Sequence, residues 1–136
     1  MLRIDDLVYL DSSALVKLVI SERESADLTG YLAAQPLRAS CALARVEVSR
    51  AARLQSDDAM GRAREILSDT YLIALESDIL TLAADLVSAS LRSLDAIHLA
   101  AAISIRARLS ALVTYDRQMA RAAADLGLRV DSPGRP

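Results

Sequence analysis

Short apolar runs alternate along this chain with longer segments whose apolar residues recur at helical spacing. The short runs predict five strands, at residues 7–10, 37–40, 70–75, 111–114 and 128–130. The longer segments predict helices at residues 14–20, 41–54 and 94–107, and three more that begin at Ser56, Ser77 and Asp116, the last ending at Gly127. Strands separated by helices predict an α/β fold, with a central parallel sheet and helices on both faces.

A further helix is predicted between the first two strands. Ser21 and Glu24 have the spacing of a capping box, in which each side chain bonds the backbone N–H of the other residue. Leu28 and Leu32 supply an apolar stripe, and Pro36 is expected to end this unit because proline cannot continue a helix.

The length of 136 residues fits one domain. We expect a single domain over residues 1–136, with residues 130–136 as a short tail. No uncharged apolar run reaches the ~18 residues of a membrane span, and no export signal is recognisable, so a cytoplasmic protein without membrane association is expected. One cysteine and one histidine exclude a four-ligand Cys/His zinc site, and the lone cysteine fits a reducing compartment.

Three aspartates stand where a solvated surface charge is not expected. Asp11 follows the first predicted strand and Asp116 follows the fourth, at the edge of a parallel sheet where ligands bind. Asp95 lies in the first turn of the most apolar helix. Each also has a structural explanation: Asp11 and Asp116 as helix N-caps, and Asp95 as an anion favoured at a helix N-terminus. The sequence is compatible with both the ligand-binding and the structural explanation.

Glu47 is a fourth candidate because it shares a predicted helix face with the apolar residues Leu43, Ala51 and Leu54. The structural alternative is an ion pair with Arg50, which contributes only about 0.3 kcal/mol when exposed. A carboxylate on an apolar stripe therefore suggests a specific partner.

Four carboxylates that converge need a compensating positive charge. Two unit charges about 4 Å apart repel by about 4 kcal/mol at an effective dielectric constant near 20. Ligands that are all oxygen select hard cations. If the four acids share a site, Mg²⁺ or Mn²⁺ is the expected cofactor.

Other side chains give weaker signals. Thr114 and Arg92 are candidates for orienting a water or a phosphate, and Lys17 for contacting phosphate, although a strand threonine and solvated charges explain them equally well. Tyr115, beside Asp116, is the candidate for stacking on a base.

His98 and Cys41 are the remaining reactive groups. A histidine on an apolar helix is more typical of a satisfied core residue than of a catalyst. Cys41 has no evident base that would make it a nucleophile.

Four acidic segments occur in a fixed order along the whole chain. They are Asp11-Ser12-Ser13-Ala14-Leu15-Val16-Lys17, the helix that carries Glu47, Leu91-Arg92-Ser93-Leu94-Asp95-Ala96-Ile97-His98-Leu99-Ala100, and Leu112-Val113-Thr114-Tyr115-Asp116. In this order and spacing they resemble the PIN-domain family, and within it the VapC toxins of toxin–antitoxin pairs.

The resemblance implies a three-layer domain with sheet order 3-2-1-4-5. It also implies an acidic catalytic site of Asp11, Glu47, Asp95 and Asp116, with Thr114 as an accessory hydroxyl. Asp11, Asp95 and Asp116 would be the metal ligands, and Glu47 would complete the cluster or orient the attacking water. Glu65 and Glu76 are alternatives to Glu47, disfavoured because the first looks exposed and the second begins a helix.

The activity that the resemblance implies is an Mg²⁺- or Mn²⁺-dependent endoribonuclease. It would hydrolyse RNA to leave a 5′-phosphate and a 3′-hydroxyl. A homodimer is implied as well, and so is inhibition by a cognate VapB-like antitoxin that covers the acidic groove.

The net charge of −2, from 16 basic and 18 acidic side chains, argues against a general polyanion binder. If four acids bind one cation, however, the other residues carry 16 basic and 14 acidic charges, or +2. Arginines make up 15 of the 16 basic residues, and arginine suits bidentate phosphate contacts.

A catalytically degenerate PIN-fold module that only binds a partner is the main alternative. A haloacid-dehalogenase-type phosphatase would need an aspartate where Ser13 stands, and a response-regulator receiver would need one at the end of the third strand, where the sequence is Ile73-Ala74-Leu75.

Overall fold

The alternation of strands and helices in the sequence is present in the computed structural model, which describes residues 7–35, 37–88 and 91–136. The strands are β1 (Leu7–Leu10), β2 (Arg38–Cys41), β3 (Tyr71–Ile73), β4 (Leu109–Val113) and β5 (Val130–Asp131). The helices are α1 (Ser12–Val19), α2 (Ser25–Ala34), α3 (Leu43–Arg53), α4 (Asp57–Ser68), α5 (Ser77–Asp85), α6 (Ser93–Ser104) and α7 (Arg117–Asp125), with a 3-10 turn at Arg106–Arg108. Among the described residues no helix is long and apolar enough to span a membrane.

The five strands form one parallel sheet in the order β3-β2-β1-β4-β5. This confirms the expected fold class and strand order. β1 and β4 are neighbours at the centre, where the order of the strands reverses. The carboxyl ends of these two strands therefore lie side by side.

Alternate side chains of the central strands enter two separate cores. Val8 and Leu10 of β1, with Val113 of β4, pack against α1, α2, α3 and α4. Tyr9 and Leu112 face the other way and pack against α5, α6 and α7. The two-residue period of a strand thus divides the helices between two faces and produces three layers.

Small residues let α6 lie close to the sheet. Its buried side chains are Ala96, His98, Leu99, Ala100, Ala101 and Ala102. The prediction that this apolar segment is a buried helix is confirmed, although the helix ends at Ser104 and the following residues form the 3-10 turn.

Some local predictions are wrong. Ser21 and Glu24 do not form a capping box: α2 begins at Ser25, whose hydroxyl accepts a hydrogen bond from the backbone N–H of Glu22 at 2.8 Å. The carboxylate of Glu24 instead accepts a hydrogen bond from Lys17 at 3.1 Å. Pro36 lies outside the described residues.

Helix caps elsewhere follow the sequence more closely. The Ser56 hydroxyl accepts a hydrogen bond from the Ala59 backbone N–H at 3.0 Å, as expected of an N-cap. Ser77, predicted to be the N-cap of α5, is instead its first residue, and Glu76 is at the N-cap position. Gly127, with a φ of +82°, ends α7 in the left-handed conformation that favours glycine.

The glycines provide a test of these backbone conformations. Gly127→Ala is expected to destabilise the protein by about 1–2 kcal/mol because its φ is positive. Gly61→Ala, in the middle of α4 with open space around the added methyl group, is expected to stabilise it by about 0.5–1 kcal/mol. Urea unfolding measures both. Equal effects of the two substitutions would contradict the assigned conformations.

Candidate functional site

The parallel pairing of β1 with β4 brings the residues that follow these strands together. Leu10 is in register with Val113, and the backbone N–H of Asp11 donates to the Val113 carbonyl at 3.2 Å. Asp11 directly follows β1 and Thr114 directly follows β4, and Asp116 lies two positions after Thr114. The predicted proximity of these residues is thus built into the sheet.

Asp11 is held by several hydrogen bonds and is only 4% exposed. Its Oδ1 accepts from the Ala14 backbone N–H at 3.0 Å and from the Ser13 hydroxyl at 2.6 Å. Its Oδ2 accepts from the Thr114 hydroxyl. Burial raises the pKa of Asp11, although the bonds from Ser13 and Thr114 act in the opposite direction. Asp11 is therefore an N-cap, as its structural explanation proposed, and also a fixed buried acid.

Asp116 is the N-cap of α7, because its Oδ1 accepts from the Met119 backbone N–H at 2.9 Å. Its own N–H donates to the Thr114 hydroxyl oxygen at 3.1 Å. The fully buried Thr114 hydroxyl thus joins Asp11 to Asp116. Here Thr114 orients the two acids, while a direct role toward water or phosphate stays a prediction.

Asp95 lies in the first turn of α6 and lines the same cleft as Asp116. Burial raises its pKa first, and the negative charges of Asp116 and Asp11 raise it further, against a smaller opposing effect of His98. Asp95, Asp116 and Asp11 therefore lie in one shared field of negative potential.

Glu47 reaches the site from α3 and is bonded to two residues of other helices. Its Oε1 lies 2.8 Å from His98 Nε2 and accepts a 2.6 Å hydrogen bond from the Ser12 hydroxyl. Burial raises the pKa of Glu47, but the bonds from His98 and Ser12 outweigh it and the pKa is lowered. Its partners are thus residues distant in sequence, and Arg50, the local candidate, is exposed.

Three of the four predicted acids line one cleft of about 520 Å³. Its lining residues are Glu47, Arg92, Ser93, Leu94, Asp95, Asp116, Arg117 and Gln118. Asp11 is buried and is not among them. The exposed Arg92 and Arg117 precede and begin the two helices that border the cleft, α6 and α7.

The donor set of the site is carboxylate oxygen throughout, which chemically suits a hard divalent cation. Within residues 7–35, 37–88 and 91–136, no three side chains of His, Cys, Asp or Glu are close enough to hold a metal ion. Movement of the side chains is needed for these carboxylates to share an ion.

Two of the weaker candidates are occupied by other contacts. Lys17 bonds Glu24, and its ammonium lies 4.7 Å from the centre of the Tyr115 ring. Tyr115 is 7% exposed and donates its hydroxyl to the Pro133 carbonyl at 2.7 Å. The expectation that Tyr115 stacks on a base is wrong, because its ring is covered.

The alternatives to Glu47 lie apart from the cleft. Glu65 is exposed on α4, and Glu76 is exposed at the start of α5. Cys41 is fully buried, with its sulfur 3.7 Å from His98 Nδ1, so it has no direct access to a ligand in the cleft.

Sequence reasoning missed the contact of His98 with Glu47 and the position of Arg117. His98 is 2% exposed, with Nδ1 2.7 Å from the Tyr9 hydroxyl. Burial lowers its pKa, but hydrogen bonds to Cys41 and Glu47 raise it to about 10. The available signal was a pair of polar residues, His98 and Glu47, each on an otherwise apolar helix face.

Comparison with known proteins places this geometry in a family. The family model described as "PIN domain" matches residues 8–125. Ribonuclease VapC46 of Mycobacterium tuberculosis strain H37Rv is 44% identical over 126 residues, which covers 93% of this chain and 97% of the relative. Ribonuclease VapC47 of strain CDC 1551 is 41% identical over 133 residues, covering 94% and 98%. Ribonuclease VapC35 of the same strain is also 41% identical over 133 residues, covering 95% and 98%.

These matches extend over nearly the whole chain and include the segments that carry all four acids. The strand order and the acidic cleft indicate the same family as the named relatives do. The chain belongs to the PIN-domain family and, within it, to the VapC-type proteins.

Proposed function

We propose that this protein is a metal-dependent endoribonuclease toxin that is inhibited by a cognate antitoxin. The observation that carries the proposal is the cleft lined by Glu47, Asp95 and Asp116, with the buried Asp11 beside it in the same field. The relatives, named ribonucleases, support the same activity.

Asp11, Asp95 and Asp116 would hold Mg²⁺ or Mn²⁺, because carboxylates are the ligands that hard cations prefer. When bound, the cation supplies polarisation of the scissile phosphate and activation of water. Glu47, with its lowered pKa, stays ionised at neutral pH and can accept a hydrogen bond from the attacking water.

Arg92 and Arg117 suit the phosphates on either side of the cut. Both are exposed, and they line the same cleft as the acids. Guanidinium groups bind phosphate through two parallel hydrogen bonds. RNA binding would then depend on both the arginines and the cation, which neutralises the acidic cleft, and this agrees with the modest net charge of −2.

The assembly we propose is a homodimer in the cytoplasm that a VapB-like antitoxin inhibits. A segment of the antitoxin would cover the cleft and place an arginine or lysine against the carboxylates. Such a cation relieves the same repulsion that a metal ion would.

A catalytically inactive partner-binding module is the second candidate. The spacing of the carboxylates, no three of which can hold an ion as they stand among the described residues, favours this candidate. Calorimetry on the partner-free protein separates the two. Binding of Mg²⁺ or Mn²⁺ supports the nuclease, and no binding of either ion supports the inactive module.

Replacing one carboxylate tests the activity. Asp95→Asn is expected to reduce Mg²⁺-dependent RNA cleavage at least about 100-fold, since it removes a negative ligand but keeps the shape of the side chain. Asp85→Asn, at the exposed end of α5, makes the same change away from the cleft and should retain wild-type activity.

The same pair of variants tests activity in cells. Mapping of RNA 5′ ends after expression without antitoxin should show new 5′-phosphate ends for the wild-type protein and for Asp85→Asn, but not for Asp95→Asn. Full cleavage by a folded Asp95→Asn protein would refute the proposed site.

Stability offers a second test of the acidic field. Without metal, Asp95→Asn is expected to raise the urea midpoint at neutral pH, because a pKa that is raised in the folded state destabilises the ionised form. The difference should disappear as the pH falls below the pKa of the carboxyl in both states, where both side chains are neutral. Mg²⁺ at 100 times its dissociation constant should stabilise the wild type by about 2.7 kcal/mol, and the variant less.

A lower midpoint for Asp95→Asn at neutral pH would contradict repulsion in the cleft. So would a difference between the two proteins that does not change with pH.

The antitoxin contact can be tested from the partner's side. Replacing the arginine or lysine that enters the cleft with glutamine should weaken inhibition by at least about tenfold, since it leaves the carboxylates uncompensated. Exchange of that arginine for lysine, or the reverse, keeps the charge and should retain most of the inhibition. Titration of cleavage activity with antitoxin measures both, and equal inhibition by the glutamine variant would refute the contact.

A further inference from the structure

Glu47 is attached to a row of polar groups that runs from the cleft into the core. The Tyr9 hydroxyl lies 2.7 Å from His98 Nδ1, and His98 Nε2 lies 2.8 Å from Glu47 Oε1. Ser12 contributes from α1: its hydroxyl donates to the same Oε1 at 2.6 Å and lies 3.1 Å from Nε2. These four side chains come from β1, α1, α3 and α6.

The row is costly to bury unless its hydrogen bonds are made. Tyr9 is fully buried and His98 is 2% exposed. Both lie among alanine and leucine side chains of the second core, the one in which Tyr9 and Leu112 pack against α5, α6 and α7. A buried polar group without a partner costs about 1–3 kcal/mol. The two rings meet nearly edge to face, with their centres 5.9 Å apart, so packing as well as hydrogen bonding fixes the imidazole.

The partners of the imidazole place a hydrogen on Nε2. An ionised Glu47 carboxylate can only accept, so its hydrogen bond with Nε2 requires a hydrogen on that nitrogen. When His98 is neutral, Nδ1 then carries no hydrogen and accepts from the Tyr9 hydroxyl. When His98 is charged, both nitrogens carry hydrogens, and Nδ1–H donates to the Tyr9 oxygen. In both states Nε2–H donates to Glu47.

Glu47 thereby loses the freedom of a surface glutamate. Both described bonds are made by Oε1, and among residues 7–35, 37–88 and 91–136 no hydrogen bond reaches Oε2. The carboxylate is half-buried and lines the cleft. One oxygen is thus fixed by the fold while the other remains available to a ligand.

We propose that Tyr9, His98 and Ser12 are positioning residues that hold the Glu47 carboxylate for the reaction in the cleft. This inference rests on the proposed nuclease function, because the position of Glu47 matters only if the cleft is catalytic. Replacing residues that hydrogen-bond to the side chains of a metal site typically lowers activity or metal affinity about 10–100-fold.

Two amide substitutions at position 98 distinguish the roles of the two imidazole nitrogens. The amide nitrogen of His98→Gln reaches about as far as Nε2 and can donate to Glu47, whereas that of His98→Asn reaches only as far as Nδ1. We expect His98→Gln to keep kcat within about threefold of the wild type and His98→Asn to lower it about 10–100-fold. KM for RNA should change little in either variant, because neither touches the arginines.

Loss of stability alone would produce a different result. If His98 only fills the core, kcat of the folded fraction should be equal in the two variants, and this result would overturn the proposal. Ser12→Ala, at the start of α1, removes the other donor to Oε1 without changing the second core, and should also lower kcat.

A spectroscopic measurement keeps the test independent of activity and of any variant at position 98. His98 is the single histidine of the chain, so long-range ¹H–¹⁵N spectra report on this ring alone. We expect a protonated Nε2 whose resonance moves in Glu47→Gln and does not move in Glu65→Gln, the same change on the exposed face of α4. An unprotonated Nε2, or a spectrum that Glu47→Gln leaves unchanged, would overturn the proposal.

The two kinds of failure can be told apart. If the spectra are as expected but the wild type and Asp95→Asn show equally little cleavage, the proposed function fails while the hydrogen-bonded row is present. If the wild type cleaves RNA and His98→Asn cleaves it equally well, the function stands and the positioning role fails.

Discussion

The parallel pairing of β1 with β4 is the constraint on which the rest of the site depends. Because of this pairing, the backbone N–H of Asp11 donates to the Val113 carbonyl. The two strands therefore end side by side, and α1 and α7 begin next to each other. The Thr114 hydroxyl then contacts both Asp11 and Asp116. Because both aspartates cap helices, the same hydrogen bonds that begin α1 and α7 also hold the acids in place.

The four acids of the site fall into two pairs with different surroundings. Asp11 and Glu47 are held by hydrogen bonds from neighbouring side chains, and the free energy of these bonds offsets part of the cost of burying a charge. Asp95 and Asp116 border the open cleft, and the pKa of Asp95 is raised by burial and by the charges around it. Asp11 and Glu47 thus have fixed positions, whereas the carboxylates of Asp95 and Asp116 repel each other. This repulsion favours the binding of a positively charged group in the cleft.

Much of the fold could be predicted because it depends on local patterns. The period of two in the strands and the caps at Asp11, Ser56 and Asp116 follow from short stretches of sequence, whereas the strand order followed from the resemblance. Contacts between distant residues could not be predicted in the same way. The capping box at Ser21 failed because Glu24 bonds Lys17, seven residues earlier.

The same distinction applies within the site. Asp11 and Asp116 were placed correctly because the ends of parallel strands share an edge. The partner of Glu47 was missed because His98 is 51 residues away, on a helix from the opposite layer. The central claim is that Asp11, Asp95 and Asp116 hold one cation, with Glu47 beside it. Anomalous diffraction from crystals soaked in Mn²⁺ tests it directly: a peak touching carboxylate oxygens of Asp11, Asp95 and Asp116 is predicted, and Mn²⁺ bound elsewhere with no peak in the cleft would contradict it.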